Sequence, residues 1–434
     1  MAAGKILYKS LYWKGLQFLT TFLLNIVLAR VLQATISADF YMLIYLFSLG
    51  IGFFTLGLDI SLNYYLSRKD ISPATARRII LFIIALALLI CLSLLSLFYP
   101  FDNYHPAVPL RQLLLFAALN ITGGLLTVLS GTLFTTYGQN HLIGKVGFFG
   151  GGLTLVVCIV ISHLYSGPML FNSLFRAYFL FSFLQGLFLF ILSMRLYSHR
   201  SLQLPADYPS TISALQILRF SFTAFAINFI FFTGSRLCLY LIPYRLTPSD
   251  QGNYIQAYKI VEYTTLVISV IYYPLIALVA GEAAEKMKQR VLLLVRISNT
   301  FVFVSCGLLL AVGGWLFPAV FGWSFNRMYG ISIGFLPGLF AVCSSTFFTA
   351  YYFGSGQMRF NLISACLQFG CMLLFFFLLV KNGSAAGAAW AFSVAAWASL
   401  LYDLLVFKRL YRFSIRDILL VSKEDLRTIR LLLS

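Results

Sequence analysis

The chain has 434 residues, 60% of them hydrophobic and only 10% charged, with a mean hydropathy of +0.90. A soluble domain carries about 25% charged residues, so these few charges cannot cover a water-soluble particle of this size, and most of its solvent must be lipid. The net charge of +18 does not point to nucleic acid, because the basic residues sit in short segments between apolar runs rather than in a stripe on a soluble domain.

A spanning helix needs about 20 mainly apolar residues. That rule predicts spans near 11–33, 40–66, 79–99, 112–137, 142–165, 173–197, 213–243, 253–280, 290–321, 330–354, 359–380 and 385–407. Lys5, Lys9 and Lys14 precede the first run like the head of a signal peptide. The run continues to Val31 with no small-residue cleavage site, so it reads as a helix that stays in place. Turn residues mark the short connections, as in Ser166-Gly167-Pro168 and Asn382-Gly383-Ser384.

Of the 31 Lys and Arg residues, 21 fall in segments on the side of the N-terminus, five on the other side (Arg111, Arg176, Arg245, Arg327 and Lys381) and five within spans. Cytoplasmic loops are enriched in these residues, so both termini are expected in the cytoplasm, as an even number of spans requires. The seven cysteines all lie in apolar runs without metal-site spacing and read as packing residues. The segment from Tyr99 to Leu110 is too short for a catalytic ectodomain. In the basic tail, Ser422 and Asp425 fit a capping box ahead of Leu426, Ile429 and Leu432, the pattern of a short helix on the membrane surface; a loosely ordered tail is the alternative.

The expected fold is therefore an all-α integral membrane protein of about 12 transmembrane helices. It divides into a six-helix N-terminal lobe (1–200), a six-helix C-terminal lobe (201–410) and a cytoplasmic tail (411–434). The halves share a layout. Leu28-Ala29-Arg30-Val31-Leu32 followed by Ser37-Ala38-Asp39-Phe40-Tyr41 parallels Pro243-Tyr244-Arg245-Leu246-Thr247-Pro248 followed by Ser249-Asp250-Gln251-Gly252-Asn253-Tyr254. Six spans separate the copies, so both keep one orientation. Such repeats are related by a pseudo-two-fold axis along the membrane normal.

The stretch from Leu246 to Ile260 (LTPSDQGNYIQAYKI) resembles the second-lobe signature of polysaccharide (O-antigen) flippases. These belong to the multidrug/oligosaccharidyl-lipid/polysaccharide (MOP) exporter superfamily. The run from Leu28 to Tyr65, with Gly57-Leu58-Asp59, is similar to the matching first-lobe region, although Tyr41 stands where the family usually has glycine. The resemblance implies two lobes in a V around a central cavity. It also implies alternating-access movement of an undecaprenyl-diphosphate-linked oligosaccharide from the inner to the outer leaflet of a bacterial inner membrane. A coupling ion, H+ or Na+, is implied as an option; no cofactor, metal site or nucleic-acid partner is expected, and a monomer is the default.

Charge inside a span costs a few kcal/mol and is a functional hypothesis by default. Arg30, Asp59, Arg219, Arg236, Lys259, Glu262, Arg296 and Asp403 are such residues. Arg296 and Asp403 lie near cytoplasmic ends, where snorkelling is expected. Arg236, Lys259 and Glu262 share one layer in the outer half. Lys259 and Glu262, three apart on one helix face, are expected to pair and leave Arg236 for an anion such as a diphosphate, which guanidinium meets in a bidentate fork. The alternative is a closed network joining two helices. Arg30 reads equally as cavity-lining or structural. Asp59 and Arg219, placed in different lobes and in one inner layer, are a candidate gate. Asn25 and Asn228, each mid-span in the first helix of its half, line a sugar path or bond between helices.

The five-to-three excess of cations over anions among these eight residues suits an anionic substrate. A small-molecule exporter of the same superfamily should carry deep carboxylates for cation coupling. A membrane-embedded polymerase or ligase should carry a polar cluster in a large outer loop, and only Asp102, His105 and Arg111 stand in a short one. The chain is therefore expected not to be an enzyme.

Overall fold

The computed structural model describes residues 2–67, 71–98, 110–136, 138–201, 214–281, 284–411, 413–414 and 418. Its regular structure among these is helical: α1 (Ala2–Thr55), α2 (Leu58–Ser67), α3 (Pro73–Phe98), α4 (Leu110–Thr136), α5 (Asn140–Leu164) and α6 (Gly167–Ser201) precede α7 (Ala214–Leu241). After it come α8 (Pro248–Gly281), α9 (Ala284–Phe321), α10 (Met328–Gly354), α11 (Met358–Leu379) and α12 (Ala385–Leu410), with short 3-10 turns before α8, α10 and α12. The segment 99–109 and the expected tail helix at 422–432 lie outside the described residues.

Ten stretches among the described residues are long and apolar enough to cross a bilayer, and the first, Tyr12–Thr55, runs 44 residues. At 1.5 Å per residue that is about 66 Å, twice the roughly 30 Å hydrocarbon core, so it holds two crossings. Sequence reading put a loop between them. The structure turns on a single residue instead, because Gln33 (φ 56°, ψ 178°) leaves helical geometry and its neighbours do not. The second crossing is broken again at Leu56 and Gly57, both at positive φ, before α2 completes it. The chain is thus a polytopic all-α membrane protein.

The chain forms two compact units, Met1–Leu32 with Phe40–Phe229, and Gln33–Asp39 with Ile230–Ser434. The first 16 residues of α7 (214–229) belong with the first unit and the rest with the second.

The first unit is built on α4 against α6, flanked by α2, α3 and α5. Its centre is aromatic: Phe40, Phe116 and Phe179 are fully buried, and the Phe116 and Phe179 rings stack with centroids 5.0 Å apart. Gly186 lets α6 lie on α4, since a Cβ there would overlap the Gly123 backbone. Small residues at such crossings are the rule where lipid removes the hydrophobic drive between helices.

In the second unit α10 packs on α8, α9 and α12, and α11 on α12. Ser393 of α12 donates to the Gly334 carbonyl at 2.6 Å and accepts from the Gly338 amide at 2.8 Å, so two glycines of α10 meet one serine. Around them Tyr254 and Tyr258 of α8 pack on Phe335, with ring centroids 5.2 and 5.7 Å away.

Candidate substrate site

The turn into α8 aims this helix. Thr247 caps it, with its Oγ1 accepting the Asp250 amide at 3.3 Å and donating to the Asp250 carboxylate at 2.9 Å, and Pro248 supplies a first residue that needs no amide partner. Arg327 then donates to Asp250 at 2.7 Å. The family-like stretch is mostly structural. A Cβ at Gly252 would overlap the Ala34 carbonyl oxygen, Asn253 donates to the Ser324 carbonyl at 3.0 Å, and Tyr254 is 1% exposed. Tyr258 donates to the Ser235 carbonyl at 3.1 Å, tying α8 to α7 one residue from Arg236.

That tie brings the charged layer together. Arg236 donates to a single Glu262 oxygen from Nε at 3.3 Å and Nη2 at 3.0 Å, each side chain being 24% exposed. The guanidinium carbon also stands 4.0 Å from the Phe232 ring centroid, one helical turn earlier. This revises the expected pairing: Glu262 meets the arginine of the neighbouring helix rather than leaving it for an anion. Lys259 is half-buried one turn from Glu262 on α8. Two cations share the layer with one carboxylate, a formal excess of one positive charge. Phe232 escaped sequence reading, because an aromatic residue four before an arginine is indistinguishable from ordinary packing in a chain with 44 Phe.

The other predicted residues lie elsewhere. Arg30 is exposed on α1. Asn25 is buried and accepts a 2.5 Å hydrogen bond from the Tyr41 hydroxyl across the Gln33 turn, the interhelical role rather than the sugar-lining one. Asn228 is half-buried on α7. Asp59 stands in the first turn of α2, where a carboxylate meets the positive end of the helix dipole, and Arg219 is exposed on α7. Both belong to the first unit, so a bridge between them would lie within one unit and not between lobes.

The chain is a polytopic helical bundle with an arginine–glutamate pair joining α7 and α8. No protein-family model and no curated protein matches the chain, but solved structures do. A lipid II flippase, MurJ, in an inward closed conformation superposes with a TM-score of 0.66 at 15% identity, over 99% of this chain and 92% of that one. An outward-facing multidrug resistance MATE transporter of the MOP superfamily gives 0.69 at 13% identity, over 94% and 96%. A MOP superfamily transporter from Pyrococcus furiosus, described as having a binding pocket of reversed polarity, gives 0.65 at 14%, over 95% and 96%. The chain has the fold of the MOP superfamily transporters.

Proposed function

We propose that this protein is a flippase that moves a polyprenyl-diphosphate-linked oligosaccharide, on an undecaprenyl carrier, from the inner to the outer leaflet by alternating access. It would do so in a bacterial inner membrane with both termini in the cytoplasm, its halves 1–200 and 201–410 serving as the two lobes. The observation that carries this reading is the Arg236, Lys259 and Glu262 cluster, in which Arg236 of the apolar span Phe225–Tyr244 meets Glu262 of α8 at 3.0 Å beside a second cation. A diphosphate brings the anionic oxygens that such a layer attracts, and the MurJ likeness supports a lipid-linked substrate.

Arg236 meets the diphosphate in this reading by exchanging part of its contact with Glu262, while Phe232 keeps the guanidinium plane in place. Arg30 and Asn228 are assigned to the sugar path. The MATE likeness, at a similar TM-score, supports a second reading as a small-molecule exporter, with Glu262 as the coupling carboxylate.

Deletion of the gene separates the two. Accumulation of lipid-linked repeat units on the cytoplasmic leaflet, reversed by the wild-type gene, is the expected result. Normal repeat-unit export together with drug hypersensitivity would reject the flippase reading for the exporter.

A further inference from the structure

Where α1 and α5 cross, their backbones nearly touch. A Cβ on Gly144 of α5 would come within 2.9 Å of the Lys14 amide nitrogen and of the Trp13 carbonyl carbon of α1. That approach sets the Trp13 indole beside the second and third turns of α5. Its ring centroid lies 6.0 Å from that of Phe148 and 6.1 Å from that of Phe149. Lys145 Nζ stands 5.6 Å from the same centroid, within cation–π range.

The charges around this contact are of one sign. Lys9 of α1 and Lys145 of α5 are exposed, and His141, one turn before Lys145, lies in the field of both. Neither lysine pairs with a carboxylate among the described residues. All of these side chains belong to the first compact unit. Such a cluster attracts an anion that accepts charge-assisted hydrogen bonds.

The rest of α5 indicates which anion. Lys145, Phe149, Leu153, Val156 and Val160 fall on one face of this helix, at spacings of three and four, and all five are exposed. From Phe149 to Val160 the apolar stripe runs about 16 Å along the axis, the depth of half a roughly 30 Å hydrocarbon core. A cationic head, an indole at the boundary and an apolar track one leaflet deep match a phospholipid. Free phosphate would use the head and not the track.

We propose that Lys9, Trp13, His141 and Lys145 form a binding site for the headgroup phosphate of an anionic phospholipid, whose acyl chain lies along the exposed stripe of α5. The site shares no residue with the Arg236 cluster and does not depend on what the protein transports.

Its test is the melting temperature of the purified full chain in detergent micelles. The chain is titrated with phosphatidylglycerol, with phosphatidylcholine of the same acyl chains, and with inorganic phosphate at constant ionic strength. Phosphatidylglycerol should raise the melting temperature saturably, and the other two should not. Lys9→Gln with Lys145→Gln should raise the half-saturating concentration by about 10- to 30-fold, the combined share of two lysines at an anionic lipid. Lys408→Gln with Arg409→Gln removes the same charge from the end of α12 and should leave it unchanged. All four replaced side chains are exposed, so both variants keep the packed interior. No shift with phosphatidylglycerol overturns the proposal, as does an equal shift with phosphatidylcholine or phosphate, or an equal effect of the two double variants. None of these readouts involves the transported substrate, so their failure would leave the flippase reading standing.

Discussion

Two nitrogens of Arg236 converge on one oxygen of Glu262, at 3.0 and 3.3 Å, so the carboxylate's second oxygen takes no part in this arginine contact. The guanidinium is held from behind by Phe232. An arginine that reaches one carboxylate oxygen from two of its nitrogens and lies against an aromatic ring is positioned from two sides. That is the geometry expected of a cation that trades partners.

Removing the arginine should therefore separate transport from folding. Arg236→Ala is predicted to lower repeat-unit export by about 10- to 100-fold, the loss expected for one charge-assisted contact, at normal membrane abundance. Arg236→Lys should recover only part of it, because an ammonium lacks the fork. Quantifying surface polysaccharide beside protein level checks both.

Glu262→Gln should act on stability first. It leaves Arg236 and Lys259 together without their carboxylate, at a cost of about 1–3 kcal/mol. A lower melting temperature in detergent is the expected readout, larger than that of Asn228→Ala.

Backbone approach makes a sharper contrast among glycines. Gly252→Ala would drive a methyl into the Ala34 carbonyl and should cost about 1–3 kcal/mol or more. Gly152→Ala meets nothing within 4 Å and should be stabilising by up to about 1 kcal/mol, as for glycine in a helix. Melting curves of the two variants, measured side by side, test the packing of α8 directly.

At the first turn the direction reverses. Gln33 occupies a region that glycine alone visits readily, so Gln33→Gly should stabilise the chain by about 1 kcal/mol. Tyr41→Phe, which removes the donor to Asn25, should cost about 0.6–1.7 kcal/mol and leave substrate choice unchanged.

Much of this was readable in the residues. Apolar run length set the spans, since only closed backbone hydrogen bonding is allowed in lipid, and the loop cations set an expected orientation. The charged layer was legible because Arg236, Lys259 and Glu262 have no soluble surface to go to. Its wiring was not. Lys259 and Glu262 are neighbours in sequence, whereas Arg236 reaches Glu262 only through the packing of α7 on α8, which the Tyr258 bond to Ser235 sets.

Asp403 misled for a related reason. Nearness to a helix end implies an exit to water, but α10 and α11 close over this position. The single-residue turn at Gln33 was equally hidden, because glutamine gives no sign of a left-handed conformation.

The central claim is tested most directly by reconstitution. The purified protein is placed in liposomes carrying a fluorescent undecaprenyl-diphosphate oligosaccharide, and a membrane-impermeant quencher reads how much probe reaches the outer leaflet. Wild type should equilibrate the probe between leaflets far faster than empty liposomes, and Arg236→Ala should slow it by about 10- to 100-fold. Wild-type rates no faster than those of protein-free liposomes, from correctly folded protein, would contradict the account.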